Sequence, residues 1–191
     1  MTDQEIYQRL AGQFPEAGLV QAGGRVPATV VPSDRLREVC LFLRDDPELR
    51  VDYPASITAV DYLDRFELIY QLRSMAKRHD VNLKTRVGRD DPTLPSVVEV
   101  WPGADFQERE IFDLMGITFV GHPNMSRILL WDEFVGYPLR KDFGIPAPLP
   151  AAVEVALQEG GVAAANEVGR VVPGPRGLDE HPSERSPGRP G

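Results

Sequence analysis

The sequence predicts an α+β domain: a two-layer body with helices covering a mixed, largely antiparallel sheet, followed by a long extended C-terminal segment. Three observations carry that expectation. Between Ser56 and Val87, apolar residues recur at every second position in consecutive stretches separated only by short turns, as in an antiparallel meander with one buried face. Three further stretches, near residues 3–14, 33–46 and 104–115, repeat apolar residues at helical spacing instead. Beyond residue 120 neither period persists, and turn residues alternate with aromatic and basic ones.

Each element follows in order. Thr2 and Glu5 have the form of a capping box, and Ile6, Leu10 and Phe14 continue at helical spacing, so a helix is expected over Asp3 to Phe14. Pro15, Gly18 and Gly23-Gly24 then break the chain, leaving room for short strands at Gly18 to Gln21 and Ala28 to Val31. In "PSDRLREVCLFLRDD", Ser33 can cap a second helix whose stripe is Leu36, Val39, Cys40 and Leu43. Cys40 is therefore expected in the core. "SITAVDYLDRFELIYQLRS" reads as a strand, a turn around Leu63 to Arg65, and a strand in which Phe66, Leu68, Tyr70 and Leu72 share a face. After a turn at Lys77 to Asp80, Val81, Leu83, Thr85 and Val87 do the same. "GRDDPTLPS" is expected as loop, "VVEVWPG" as a short irregular element, and Ala104 to Met115 as a third helix closed by Gly116.

Composition excludes several functions. With 21 Lys+Arg against 29 Asp+Glu, the formal charge is −8, which opposes general nucleic-acid binding and attraction to anionic lipid. Cys40 is the only cysteine, so neither an intramolecular disulfide nor a thiolate cage for an iron–sulfur cluster can form. No apolar run approaches the roughly 18 residues of a membrane helix, and "MTDQEIYQRL" lacks the apolar stretch of a secretory signal. A cytoplasmic chain is expected, near a membrane only through other proteins. Eight of the 18 prolines fall in the last 48 residues, where large apolar residues are sparse. The expected organisation is a domain over residues 1–120, an extended partner-binding arm over 121–149, and a Pro/Gly-rich tail over 150–191 that is flexible or ordered on a partner.

The stretch "EREIFDLMG" poses a problem. On a helical wheel Ile111, Phe112, Leu114 and Met115 share one arc, and Glu108 projects between Phe112 and Met115. Arg109 and Asp113 form an i,i+4 pair on the other side, near Phe106 and Glu110. A buried carboxylate costs several kcal/mol on an order-of-magnitude scale, so Glu108 needs a cationic or multiply donating partner. Arg127, Arg140 and Lys141 are the nearest cations downstream. The blander alternative leaves Glu108 solvated. A metal site of Glu108, Glu110, Asp113 and His122 is disfavoured, because carboxylates so spaced do not face one point and His122 lies past the helix stop. Nothing nearby resembles a nucleophile, phosphate cradle or oxyanion site, so no catalytic residue is assigned. His122, in "GHP", reads as a turn histidine bonded to backbone. The following segment, "GITFVGHPNMSRILLWDEFVGYPLRKDF", carries two Gly-aromatic-Pro turns, Gly121-His122-Pro123 and Gly136-Tyr137-Pro138, each followed by cations. With Trp131, Phe134 and Tyr137 it is better interface than core.

"EREIFDLMGITFVGHPNMSRILL" followed by "GYPLRKDF" resembles the signature of the 30 kDa subunit family of respiratory complex I, and "PSVVEVWPGADFQ" upstream is similar to the same family. The resemblance runs from about Val30 to Phe143. It implies a hydrophilic, non-catalytic structural and assembly subunit in the peripheral arm of a proton-translocating NADH:quinone oxidoreductase, on the cytoplasmic side of a bacterial plasma membrane. NAD, FMN, iron–sulfur clusters and quinone would belong to other subunits. The implied neighbours are the large hydrogenase-like quinone-site subunit, embraced by the C-terminal segment, and the small subunit with the terminal iron–sulfur cluster. The implied structural and interface motif is Glu108, Arg109, Glu110, Asp113, Gly116, Gly121, His122, Pro123, Arg127, Pro138, Arg140, Lys141, Asp142 and Phe143. Tyr137 stands where many relatives have histidine, and Gly144 where they have proline. The runner-up is the equivalent subunit of a related membrane-bound hydrogenase or ferredoxin-linked complex; a free-standing metal-dependent hydrolase is the reading from another class.

Overall fold

The computed structural model describes residues 1–23 and 26–144. Its first helix, α1 (Asp3–Gln13), is held by the reciprocal capping box: Glu5 donates its amide to the Thr2 hydroxyl, and Thr2 donates its amide to the Glu5 carboxylate. The α1 stripe buries Ile6 and Leu10, and Phe14 meets Phe42 edge to face with ring centroids 5.5 Å apart. Strands β1 (Val20–Ala22) and β2 (Ala28–Val30) pair antiparallel. Helix α2 (Leu36–Asp45) buries Leu36, Val39, Cys40 and Leu43, the expected stripe. Ser33 does not cap it. A 3-10 turn over Ser33–Arg35 leads in instead, stitched by the Arg35 amide to the Pro32 carbonyl, so the helix inherits a helical-like lead-in and its first amides need no side-chain cap.

Strands β3 (Tyr53–Asp61), β4 (Arg65–Ser74) and β5 (His79–Gly88) form the expected antiparallel meander. Because β2 runs parallel to β5, the sheet is mixed, with order β1-β2-β5-β4-β3. In β4 the alternating residues Phe66, Leu68, Tyr70 and Leu72 are buried, opposite Val87, Thr85, Leu83 and Val81 of β5. Glu67 points to the other face yet is also buried, because Lys84 and Arg86 on the neighbouring strand lie across its carboxylate at 3.1 and 2.9 Å. His79, expected in a turn, is instead a buried first residue of β5.

The stretch expected as loop contains a strand. β6 (Thr93–Pro95) pairs parallel with β7 (Thr118–Val120). Three residues with a proline at the end give no alternation to read, so only the tertiary pairing reveals it. Between them, Trp101 is buried and donates its indole N–H to the Val51 carbonyl at 2.8 Å, tying the 97–104 turns to the core. Helix α3 (Asp105–Met115) follows and ends at Gly116, whose φ of +69° is left-handed. Residues 121–144 then form a series of turns. Residues 145–191, which include the end of the expected arm and the whole tail, lie outside the described residues.

Candidate functional site

Helix α3 is gripped on two sides by carboxylates. On the first, Glu108 is fully buried. Its Oε2 accepts the Ser96 hydroxyl at 2.6 Å and its Oε1 the Val97 amide at 2.7 Å. This agrees with the helical wheel, and the solvated alternative is not what forms. Of the cationic or multiply donating partners expected, it is neutral donors that are found, and none of the downstream cations. β6 delivers the Ser96-Val97 turn against the helix, and burial pushes the Glu108 carboxyl up to about 7. The two donors offset part of that burial, and the raised value lets the carboxyl sit in the core without an arginine.

On the second side, Asp113 is also fully buried. Its Oδ2 accepts three consecutive amides, from Ile128, Leu129 and Leu130, at 3.1, 2.8 and 3.0 Å, and Oδ1 accepts the Arg127 guanidinium at 2.9 Å. Burial alone would raise this carboxyl; the three amides and Arg127 outweigh it and hold the group below the usual range. Arg127, one of the three downstream cations considered for Glu108, thus serves Asp113, and Asp113 does not pair with Arg109. Arg109 turns to the arm as well: its Nε donates to the Ser126 carbonyl at 3.1 Å and its Nη2 to the Ser126 hydroxyl at 2.9 Å. The i,i+4 pair fails because both side chains find better-oriented partners in residues 126–130, which local spacing cannot foresee.

The rest of the arm is fixed the same way. The His122 side chain is buried and backbone-bonded, with Nε2 3.3 Å from the Asp105 carbonyl and Nδ1 accepting the Asn124 amide at 3.0 Å. The Arg127 Nη2 donates to the Phe134 carbonyl at 3.2 Å. Arg140 caps the end of α3, donating to the carbonyls of Met115 at 2.7 Å and Gly116 at 3.3 Å, while its guanidinium lies over the Tyr137 and Phe66 rings, a placement favoured by the helix dipole. Gly116 is required twice: its φ is left-handed, and a Cβ there would collide with the Tyr137 ring. The Lys141 amide donates to Asp61 Oδ2 at 2.9 Å, and Asp142 forms an ion pair with the Arg89 guanidinium at 2.7 Å. Phe143 stacks on Phe134, and Trp131 meets Phe134 edge to face. Gly121 and Gly136 supply the positive φ of the two turns, and Pro123 is exposed while Pro138 is half-buried. Glu110 is exposed and is not drawn in.

Glu108, Glu110, Asp113 and His122 are therefore not brought to one point. Among the described residues, no group of three or more His, Cys, Asp and Glu is placed to hold a metal ion. Sequence reasoning missed Ser96, Asp61 and Arg89, and placed Tyr137 in the second turn without its contact to Gly116 and Arg140. Ser96 gives no signal beyond sitting in a turn. Asp61 opens the turn "DYLD", an Asx-type signal that predicts a local bond but not its second bond to Lys141.

Besides exposed polar residues such as Asp132 and Glu133, the arm presents apolar side chains outward: Leu129, Trp131, Val135 and Leu139 are 58–87% exposed. Exposed apolar side chains on a segment hydrogen-bonded to the domain are suited to contact with another protein.

The profile of the family described as "Respiratory-chain NADH dehydrogenase, 30 Kd subunit" matches residues 29–148. A protein from Roseiflexus castenholzii, named as the C subunit of an NADH-quinone oxidoreductase, is 44% identical over 146 residues, covering 74% of this chain and 84% of that one. Its namesake from Moorella thermoacetica is 44% identical over 140 residues, covering 72% and 93%. Among solved structures, a trypsin-resistant fragment of Nqo5 superposes with a TM-score of 0.55 at 27% identity, covering 61% of this chain and 97% of that chain. A chain of the membrane-bound sulfane sulfur reductase, an archaeal respiratory membrane complex, superposes with a TM-score of 0.62 at 26% identity, covering 81% and 91%.

Proposed function

The chain belongs to the family of respiratory-chain NADH dehydrogenase 30 kDa subunits, and from that premise we propose that it is a non-catalytic structural and assembly subunit of a proton-translocating NADH:quinone oxidoreductase. It sits in the peripheral arm of that complex, on the cytoplasmic side of a bacterial plasma membrane. Among the described residues no helix is long and apolar enough to cross a membrane, in keeping with attachment through other subunits. NAD, FMN, iron–sulfur clusters and quinone are carried by those subunits. Its neighbours are the large hydrogenase-like quinone-site subunit and the small subunit with the terminal iron–sulfur cluster.

The single observation that carries this reading is the pairing of Asp113 with Arg127 and three successive arm amides. It fixes the residues that bear Leu129 and Trp131 before any partner arrives. Pre-organisation matters because ordering an interface on binding costs roughly 0.5–1.5 kcal/mol per rotamer-rich side chain. We take residues 1–120 as the body that presents the arm, residues 121–149 as the partner-binding arm and 150–191 as its tail. Within the proposed interface motif, Glu108, Gly116 and Arg140 position the helix and its exit, Asp113, Arg109, Arg127 and His122 position the first arm turn, and Lys141, Asp142 and Phe143 the second.

The test is to replace Trp131 and Val135 by alanine in the chromosomal copy and quantify membrane-bound complex and NADH:quinone turnover per assembled complex. Assembly should fall several-fold while turnover per complex is retained. The second reading, an equivalent subunit in a related membrane-bound complex, is favoured by the larger superposition on the sulfane sulfur reductase chain. It is weighed against relatives at 44% identity, which bear the NADH-quinone oxidoreductase name. Co-purification of NADH-binding subunits separates the two.

A further inference from the structure

Hairpin β3–β4 turns through two central residues, Leu63 and Asp64, closed by the Tyr62 amide donating to the Arg65 carbonyl at 2.9 Å. Leu63 has φ +71°. Hairpins that must place a residue there use glycine, asparagine or aspartate, because a Cβ is strained in the left-handed region. Among the described residues two others outside glycine share a positive φ, Arg50 at +43° and Arg78 at +57°. Leu63 departs furthest, and it alone is apolar. No side-chain burial repays that strain, since the Leu63 residue is 59% exposed and the neighbouring Tyr62 is 45% exposed; the bond from the Leu63 amide to Asp61 holds the backbone but asks for no leucine. Folding alone has no use for a leucine here.

The tip is also bound to the arm. Asp61 is buried, and its Oδ1 accepts the Leu63 amide at 2.7 Å together with the Arg89 guanidinium. The other oxygen, Oδ2, accepts the Lys141 amide at 2.9 Å. Arg89 continues to Asp142. One carboxylate therefore sets the conformation of the tip and the position of the second arm turn. The arm residues flanking that junction, Leu139 and Phe143, are themselves 58% and 42% exposed. Lys141 and Arg65 flank the Tyr62 ring with cations 6.0 and 4.9 Å from its centroid, leaving Leu63 to project at the end of the hairpin.

Resting on the assembly role above, we infer that Leu63 is an apolar knob that enters a pocket on the neighbouring subunit receiving the arm, so that the hairpin tip and the arm form one interface. The occupant follows from continuity: the Asp61 junction leaves no freedom for the tip and the second arm turn to address different surfaces. The strain is retained because the exposed leucine is used in the complex and not in the isolated chain.

The test uses the full-length chain in its assembled complex. Leu63→Asn, which tolerates the backbone conformation, should melt no lower than wild type as an isolated full-length chain. In cells carrying equal doses of wild type and variant, it should be recovered in the complex at under one-fifth of the wild-type share; Leu63→Met should restore recovery. A photoreactive phenylalanine analogue at position 63 should crosslink to the same subunit as one at position 131. Equal recovery of Leu63→Asn alongside failure of the Trp131/Val135 variant would overturn the knob and leave the assembly role standing. Normal recovery of both variants would remove both. Crosslinking from position 63 to no chain, or to one other than that reached from position 131, would also overturn the inference.

Discussion

Glu108→Gln isolates the cost of keeping a carboxyl in the core without a cation. The carboxyl sits at about 7 when folded, against an ordinary value of 4.5. A difference of about 2.5 pH units is about 3 kcal/mol at 1.36 kcal/mol per unit. The sign follows from proton binding. The folded value is raised, so folded and unfolded chains are both protonated below about 4.5 and the contribution is fully present. Between 4.5 and 7 the unfolded chain releases a proton that the folded chain keeps, and stability falls. Above about 8 the full ~3 kcal/mol is lost. His79 acts in the opposite direction, since burial holds its imidazole below the ordinary value and stability rises with pH through that window; it cancels in the comparison. Glutamine can accept the Val97 amide and donate to the Ser96 oxygen, so it preserves the contacts without titrating. Urea unfolding of wild type and Glu108→Gln from about pH 5 to pH 8.5 should give similar stability at the acid end and an advantage of about 2–3 kcal/mol for the variant at the alkaline end. Parallel pH profiles would refute the reasoning, because the proton taken up on folding would then belong elsewhere.

Other outcomes follow from the same geometry. Asp113→Ala leaves Arg127 and three amides without their acceptor; removing one partner of a buried ion pair costs about 3–5 kcal/mol, and the loss should appear as faster hydrogen exchange at residues 126–130, with the β4 and β5 amides little affected. Gly116→Ala should destabilise by about 2 kcal/mol or more, since the new methyl meets both a left-handed φ and the Tyr137 ring; adding Tyr137→Ala should recover part of it, and thermal melts of the single and double variants measure the coupling. Cys40 should resist maleimide in the native protein and react on unfolding, because burial pushes its thiol well up and leaves it without solvent access.

The meander is legible in the sequence because apolar residues occupy every second position from Phe66 to Leu72 in β4 and Val81, Leu83, Thr85 and Val87 share a face in β5, and a period of two points to little else. The helices are legible from Thr2 with Glu5, from the Leu36 to Leu43 stripe and from Gly116. What the residues do not announce are interactions between distant segments. β6 and β7 are three residues each and exist only because they pair with one another across α3. The wheel puts Glu108 in the core, where it is found, but its donors come from Ser96 and Val97, upstream, where a search for downstream cations does not look. Arg127 stands out for the right reason, a buried carboxylate on α3, yet it serves Asp113 and not Glu108, since the helical spacing pairs Asp113 with Arg109 on the side shared by Phe106 and Glu110. Asp61 lies 80 residues from Lys141, beyond any local rule.

Arg127→Ala, introduced at the chromosomal locus, offers the most direct measurement: the amount of assembled complex in the membrane, set beside NADH:quinone turnover per assembled complex. A chain whose task is to hold larger subunits in register predicts a several-fold fall in the first and little change in the second. Normal assembly with collapsed turnover would contradict it.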